Sequence, residues 1–354
     1  MTPKFHTLKV SDIRKETPDC VSIAFEVPDA LVSDYVFLPG QYLTLKRDFE
    51  GEEVRRSYSI CSAPFEKELR VAVKQVENGK FSTYANQELK IGDLLDVMTP
   101  VGRFCPEIQA ENHKHYVLVA AGSGITPVIS IAKSVLNEEP ESQVTLLYGN
   151  KGVGSIIFKE ELEALKNKHL TNLNLIHVLS RENLGNDIQR GRIDAGKCDA
   201  IYDSFLKNQQ VDEVFICGPE KMILDVKDRM ASYGIPSSQI HFELFTAAVP
   251  KKETSVASGP KIESNVTVIL DGVEMEIRVN SDGDNILDAA YNAGADVPFA
   301  CKGGVCCTCK AKVLAGTAKM DVNYGLEPDE IEAGYILTCQ SHPTSEKLVV
   351  SFDD

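Results

Sequence analysis

Cys301, Cys306, Cys309 and Cys339 form a C-x4-C-x2-C run followed by a distant fourth thiol. That spacing suits a [2Fe–2S] cluster. Two irons sharing two sulfides need four thiolates, and one short loop can supply three only if its backbone curls tightly. Gly303 and Gly304 offer the freedom for that curl. Such a cluster holds one extra electron, so the chain is expected to move electrons one at a time. Structural zinc and disulfides are the competing uses of cysteine. Zinc favours paired C-x2-C motifs or Cys/His mixtures, and no second C-x2-C pair exists here. Cys307 falls off the pattern and is read as a packed or free thiol.

Three further groups suggest nucleotide chemistry. Ala121-Gly122-Ser123-Gly124-Ile125-Thr126-Pro127 follows an expected strand, Tyr116–Ala120, and opens into a helix. Gly124 permits close backbone approach, the helix start presents unpaired N–H groups to a phosphate, and Pro127 suits a first helical turn. It is not G-x-G-x-x-G, and a plain tight turn is the alternative. Cys217-Gly218-Pro219 with Met222 ends a later strand, where ligands of open parallel sheets bind, so Cys217 is expected to share a crevice with Thr126. A buried cysteine on its own is more simply a small hydrophobe. Ser180-Arg181 ends another strand, and its guanidinium could pair with the 2′-phosphate that separates NADPH from NADH. The plain reading of Arg181 is a solvated side chain.

The first third of the chain carries chemistry that suits a flavin. In Arg56-Ser57-Tyr58-Ser59, strand alternation sets Arg56 and Tyr58 on one face and Ser57 and Ser59 on the other. An aromatic ring can stack on an isoalloxazine, a guanidinium can bind phosphate, and a hydroxyl can reach the flavin N5 region. Gly79-Lys80-Phe81-Ser82-Thr83 reads as a loop entering a short helix, with N–H groups and the Ser82 and Thr83 hydroxyls suited to a pyrophosphate. That favours FAD over FMN.

The elements that must position these residues fall into three parts. Residues 1–110 show short alternating β-runs (Val21–Val27, Tyr42–Leu45, Leu69–Val76) between Gly/Pro turns, which points to an antiparallel barrel or sandwich. Residues 111–246 alternate buried-looking strands with helices. The strands are Tyr116–Ala120, Val144–Tyr148, Leu173–Leu179, Glu213–Cys217 and Ile240–Leu244. The helices are Pro127–Asn137, Phe158–Lys168, a short one near Ile201–Asn208, and Met222–Tyr233. That is the rhythm of a doubly wound parallel sheet. Residues 247–261 have linker composition. Residues 262–354 begin with a hairpin, Val266–Leu270 and Met275–Val279 round Asp271-Gly272, followed by a helix at Asn285–Ala293 and the cysteine loop.

A chain of 354 residues with a formal net charge of −15 is a poor nucleic-acid partner. From Lys261 onward, 16 Asp/Glu face 7 Lys/Arg, so −9 sits beside the cysteine loop. That charge suits a basic docking surface, and simple solubility explains it equally well. The apolar run Tyr116–Val135 is broken by Gly122, Gly124 and Pro127, so no membrane span is expected. Met1–His6 lacks the apolar stretch of a signal peptide, and ten cysteines without an export signal suggest reduced thiols in the cytoplasm.

With these residues in place the whole chain resembles a known family: the ferredoxin–NADP⁺ reductase-type flavoprotein reductases with a C-terminal plant-type ferredoxin domain. Pro39-Gly40-Gln41-Tyr42 matches the family's P-G-Q-[FY] segment and Arg56-Ser57-Tyr58-Ser59 its R-x-Y-[ST] flavin motif. Gly124-Ile125-Thr126-Pro127 matches G-x-T-P, and Cys217-Gly218-Pro219 with Met222 matches C-G-P-x-x-M. Tyr148-Gly149-Asn150-Lys151 with Ser155-Ile156-Ile157-Phe158 is most similar to reductase components of phenylacetyl-CoA epoxidases, although Lys151 stands where such relatives carry Arg. The resemblance implies FAD, NADPH (or NADH) and a separate di-iron oxygenase as electron acceptor. It implies a barrel flavin domain, an α/β nucleotide domain and a β-grasp ferredoxin domain. It also implies hydride transfer near Cys217 and Thr126 to a flavin held by Arg56, Ser57, Tyr58, Ser59, Gly79, Lys80, Ser82 and Thr83, with Ser59 orienting the transfer. Ser180, Arg181, Gly218, Pro219 and Met222 complete the expected nucleotide contacts. Other acceptors stay open: an acyl desaturase, a ring-hydroxylating oxygenase or a hybrid-cluster protein. So does a redox sensor without turnover.

Overall fold

A computed structural model describes residues 4–183, 185–245 and 262–353. The expected linker lies outside the described residues. The first sheet has six strands: β1 (Phe5–Thr17), β2 (Cys20–Glu26), β3 (Tyr42–Phe49), β4 (Glu52–Ser59), β5 (Leu69–Lys74) and β6 (Leu94–Met98), in the order β4-β3-β6-β1-β2-β5. Its two edge strands meet again: Ile60 bridges Val71 antiparallel, and the Cys61 N–H donates to the Arg70 carbonyl at 2.9 Å. That closure removes open sheet edges and makes a barrel. Period-two alternation turns Leu8, Val10, Ile23, Leu43, Leu45, Val71 and Val97 into its core. Strand β5 stops at Lys74, two residues short of the sequence expectation. There the chain turns, with the Val76 N–H donating to Ser82 Oγ, into helix α1 (Lys80–Gln87).

The second sheet is fully parallel. Its strands are β7 (His115–Ala121), β8 (Gln143–Asn150), β9 (Leu173–Leu179), β10 (Glu213–Gly218) and β11 (Ile240–Leu244), in the order β11-β10-β7-β8-β9. Burial on both faces explains why Tyr116–Ala120 and Val214–Cys217 read as unbroken apolar runs. Helices α2 (Ile125–Glu138), α3 (Lys159–Lys168), α4 (Ala195–Ile201) and α5 (Glu220–Ser232) connect the strands. The expected helix at 201–208 starts earlier, because the Asp194 carboxylate caps it by accepting from the Lys197 N–H at 2.9 Å, and it runs on into a π-turn at Tyr202–Leu206. Strand order reverses between β7 and β10, so the crevice of this sheet lies beyond their carboxyl ends.

Both sheets belong to one compact unit holding most of residues 6–245. Within it α2 is tied to the barrel segment that follows β4. Ser130 Oγ donates to the Ser62 carbonyl at 2.7 Å, and Lys133 Nζ lies 2.8 Å from Glu66 and 2.7 Å from Glu161. A lysine this buried needs its carboxylates, and removing one partner from such a pair costs about 3–5 kcal/mol.

The C-terminal unit holds a five-stranded mixed sheet and a two-stranded one. Strands β12 (Glu263–Leu270) and β13 (Val273–Asn280) form the expected hairpin, with Asp271 at φ 50° and Gly272 at φ 72° in its two-residue turn. Helix α6 (Ile286–Asn292) follows, then β14 (Lys310–Ala315), β15 (Ala318–Met320), helix α7 (Pro328–Glu332), β16 (Tyr335–Leu337), β17 (Ser341–Pro343) and β18 (Lys347–Ser351). The main sheet runs β13-β12-β18-β14-β16, with β12 and β18 parallel. A β-grasp results, and Ile286, Leu287 and Ala290 of α6 fill its core.

Candidate functional site

The crevice at the switch point is built from contacts only glycine allows. A Cβ on Gly124 would stand 2.1 Å from the Cys217 carbonyl oxygen, and one on Gly218 would meet the Met222 methyl at 2.6 Å. The turn before α2 therefore lies against the end of β10, which brings Gly124, Thr126 and Pro127 together with Cys217, Gly218 and Met222. Pro127 sits in the first turn of α2. The Thr126 hydroxyl is buried and donates to the Ser123 carbonyl at 3.0 Å, so it shapes the turn. Pro219 is the N-cap residue of α5. Cys217 is fully buried, and burial, with the Glu243 carboxyl as a further cause, holds its thiol well above the ordinary range. That keeps the thiol uncharged near neutrality.

Glu243 escapes a reading of the sequence alone. Parallel register sets it beside Cys217, and Ser59 Oγ reaches across from the barrel to its carboxylate at 3.1 Å. Glu243 is half-buried, and desolvation pushes its carboxyl up to about 7 against the opposing hydrogen bond from Ser59. A carboxyl, a hydroxyl and a thiol thus converge where barrel and parallel sheet meet. The available signal was an acidic residue one position from the end of a strand expected to be buried.

Strand β4 presents the flavin-type residues with less regular alternation than expected, since Val54 and Arg55 are both buried. Arg56 is exposed, Ser57 and Tyr58 half-buried, and Ser59 buried. The Tyr58 ring lies 5.7 Å from Phe81. At Gly79–Thr83 the start of α1 has no side-chain cap. Ser82 is engaged in forming the loop, donating to the Gly79 carbonyl at 3.2 Å and accepting from Val76. Thr83 Oγ1 takes a long 3.4 Å bond from Gln75, and Lys80 pairs with Glu52. Uncapped helix N–H groups, Arg56 and a half-open aromatic ring fit a flavin carrying phosphate groups.

Ser180 and Arg181 lie exposed beyond β9, with their N–H groups on the Asn150 and Lys151 carbonyls at 2.9 and 2.8 Å. The Glu182 carboxylate accepts from the Val153 N–H at 3.1 Å. Arg190 is exposed, and its backbone bridges Leu179 at the end of β9.

In the C-terminal unit the four thiols interact as two pairs, Cys301 with Cys306 and Cys309 with Cys339. Among the described residues no three Cys, His or carboxylate side chains gather round one metal position. Two pairs match two irons with two protein ligands each, the arrangement a [2Fe–2S] cluster needs. The Gly303 and Cys306 N–H groups point at Cys301 Sγ from 3.3 and 3.4 Å. The interaction with Cys306 and those backbone donors hold the Cys301 thiol below its ordinary range, while the same interaction and burial push its partner Cys306 above it. The curl uses left-handed residues at Lys302 (φ 51°), Gly304 (φ 73°) and Cys307 (φ 53°), so Gly303 is not one of them. Cys307 packs on the loop at Gly325, where a Cβ would stand 2.5 Å from its sulfur. Thr308 and Gln340, unremarked in the sequence, point donors at Cys306 and Cys339.

Comparison with known proteins agrees with this geometry. Residues 7–105 match the oxidoreductase FAD-binding domain, 118–228 the oxidoreductase NAD-binding domain, and 268–344 the 2Fe-2S iron-sulfur cluster binding domain. The chain is 46% identical over 352 residues to one of the subunits of 1,2-phenylacetyl-CoA epoxidase of Escherichia coli K12, covering 99% of this chain and 98% of that one. It is 34% identical to the ferredoxin reductase component of 3-ketosteroid-9-alpha-monooxygenase of Rhodococcus rhodochrous, over 98% and 96% of the two chains. Among solved structures, phthalate dioxygenase reductase, described as a modular structure for electron transfer from pyridine nucleotides to [2Fe-2S], superposes with a TM-score of 0.59 at 25% identity, covering 98% of each chain.

Proposed function

Because the chain belongs to the ferredoxin–NADP⁺ reductase-type flavoprotein reductases with a C-terminal [2Fe–2S] domain, we propose that it is the reductase component of a phenylacetyl-CoA epoxidase in phenylacetate degradation. The chain is an NAD(P)H-dependent flavin iron–sulfur oxidoreductase. Its acceptor, on this reading, is a separate di-iron oxygenase. The reading is carried by the 46% identity that runs through all three domains. When bound, FAD takes an electron pair from the nicotinamide and releases it singly to the cluster. The residues do the rest. Gly124, Gly218, Cys217 and Met222, which the close packing at Gly124 and Gly218 brings together, would hold the nicotinamide. Arg56 and the start of α1 would hold the flavin phosphates, Tyr58 would offer a ring to stack on, and Ser59 would contact the flavin. Cys301, Cys306, Cys309 and Cys339 hold the cluster. Ten unbridged cysteines suit a cytoplasmic setting, and among the described residues no helix is long and apolar enough to cross a membrane.

The test is a competition between acceptors. The NADPH-reduced protein is expected to support epoxidation of phenylacetyl-CoA by the purified oxygenase component at a rate well above that with a ketosteroid oxygenase component. Equal or reversed rates would reject the assignment.

NADPH is the proposed donor because Ser180 and Arg181 lie exposed at the end of β9 while the Glu182 carboxylate is bonded to backbone. Arg181→Ala should raise the KM for NADPH about 10-fold, the worth of one charge-assisted phosphate contact, and leave that for NADH within roughly twofold. Steady-state kinetics with both nucleotides decides, and a parallel rise in the two KM values would show that Arg181 does not read the 2′-phosphate.

A further inference from the structure

We propose that Thr308 is a positioning residue that sets the reduction potential of the cluster through the Cys306 sulfur. Its hydroxyl donates to Cys306 Sγ at 3.2 Å, and the side chain is 6% exposed. The other thiol pair has a different partner. Gln340 Nε2 stands 3.8 Å from Cys339 Sγ and makes its shorter bond, 2.9 Å, to the Lys302 carbonyl. Gln340 therefore acts chiefly as a tether between the cysteine loop and the segment carrying the fourth ligand, whereas Thr308 aims its proton at a ligand sulfur.

The consequence follows from where charge goes. Adding an electron to the cluster makes its cysteine sulfurs more negative. A hydrogen bond to such a sulfur is stronger in the reduced state, so it favours reduction and raises the potential. Buried away from water, the bond acts in a low dielectric, and water cannot readily replace it when it is lost. The backbone donors to Cys301 cannot be removed by ordinary substitution; the Thr308 hydroxyl can, with almost no change in shape, by Thr308→Val. Thr308→Ser is the matched control, since it keeps the hydroxyl and removes the methyl.

The experiment is an anaerobic redox titration of the whole flavoprotein, followed by electron paramagnetic resonance of the reduced cluster. Iron and sulfide are quantified first for each protein. Thr308→Val is expected to lower the equilibrium constant for one-electron reduction about 5- to 10-fold, a drop of about 41–59 mV at 59 mV per tenfold. Thr308→Ser should stay within about twofold of the parent, and Gln340→Leu should shift less than Thr308→Val. A loaded Thr308→Val protein with an unchanged midpoint, or a Thr308→Ser protein as low as Thr308→Val, overturns the proposal. So does loss of the cluster from both Thr308→Val and Thr308→Ala with retention in Thr308→Ser, which would make the hydroxyl an assembly requirement. A parent protein without iron and sulfide would instead overturn the cluster reading on which the proposal rests.

Discussion

Cys309→Ser is expected to purify with its flavin but without the visible iron–sulfur absorption. Reduction of cytochrome c by NADPH should fall by about 100-fold, and ferricyanide reduction should stay within roughly threefold of the parent. Cys309 and Cys339 are both buried and interact with one another, so on the proposed assignment they would present two sulfurs to one iron. Replacing one with an alcohol removes a soft thiolate ligand and leaves that iron with half its protein coordination. The matches to the FAD-binding and NAD-binding domains lie within residues 7–228, most of which belong to a compact unit with its own cores, so the early half of electron flow should survive. Cys307→Ser is the control. Its thiol rests on Gly325 and belongs to neither pair, so the substituted protein should keep a full complement of iron and sulfide. An intact spectrum in Cys309→Ser, or an empty protein in Cys307→Ser, would show the ligands to be misassigned.

What is legible in the sequence follows how locally each feature is encoded. Asp271-Gly272 announces its hairpin because a two-residue turn needs left-handed residues in those places, and both have them. Gly124 and Cys217 can each be found in a short motif, but the 2.1 Å approach that makes them one site depends on strands β7 and β10 being neighbours. Spacing points to the four cluster cysteines, yet their division into pairs is a property of the folded loop. Gly303 and Gly304 predict the curl, and the chain instead uses Lys302 and Cys307 with Gly304. Asp194 is a helix cap that the periodicity does not reveal, which displaces one helix start. Glu243 is the largest omission, and its reason is distance: its partner Ser59 is 184 residues away, and its neighbour Cys217 is fixed by strand register. No local pattern carries that information.

Glu243→Gln tests whether this convergence matters to hydride transfer. Desolvation pushes the Glu243 carboxyl up to about 7, so near neutrality it holds a proton about half the time. It touches Ser59, the hydroxyl proposed to contact the flavin, and a carboxyl with a pKa near the working pH is well matched to hold or relay a proton there. Stopped-flow flavin reduction by NADPH should show an inflection near pH 7 in the parent. The Gln variant should lose that inflection and run about 100-fold slower, the lower end of the usual worth of a positioned proton-carrying group. Stability supplies a second readout with a fixed sign. Because folding raises the carboxyl above its ordinary value of 4.5, its favourable contribution is complete below that value and is lost as pH rises through about 7. The unfolded chain ionises first, so the parent should weaken between pH 5 and 8 by at most ~3 kcal/mol from this group, and the Gln variant should be spared that loss. Thermal unfolding at the two pH values measures the difference. A variant that keeps both the inflection and the parent's pH-dependent weakening would show that another group titrates in the crevice, and that Glu243 is a spectator to the transfer.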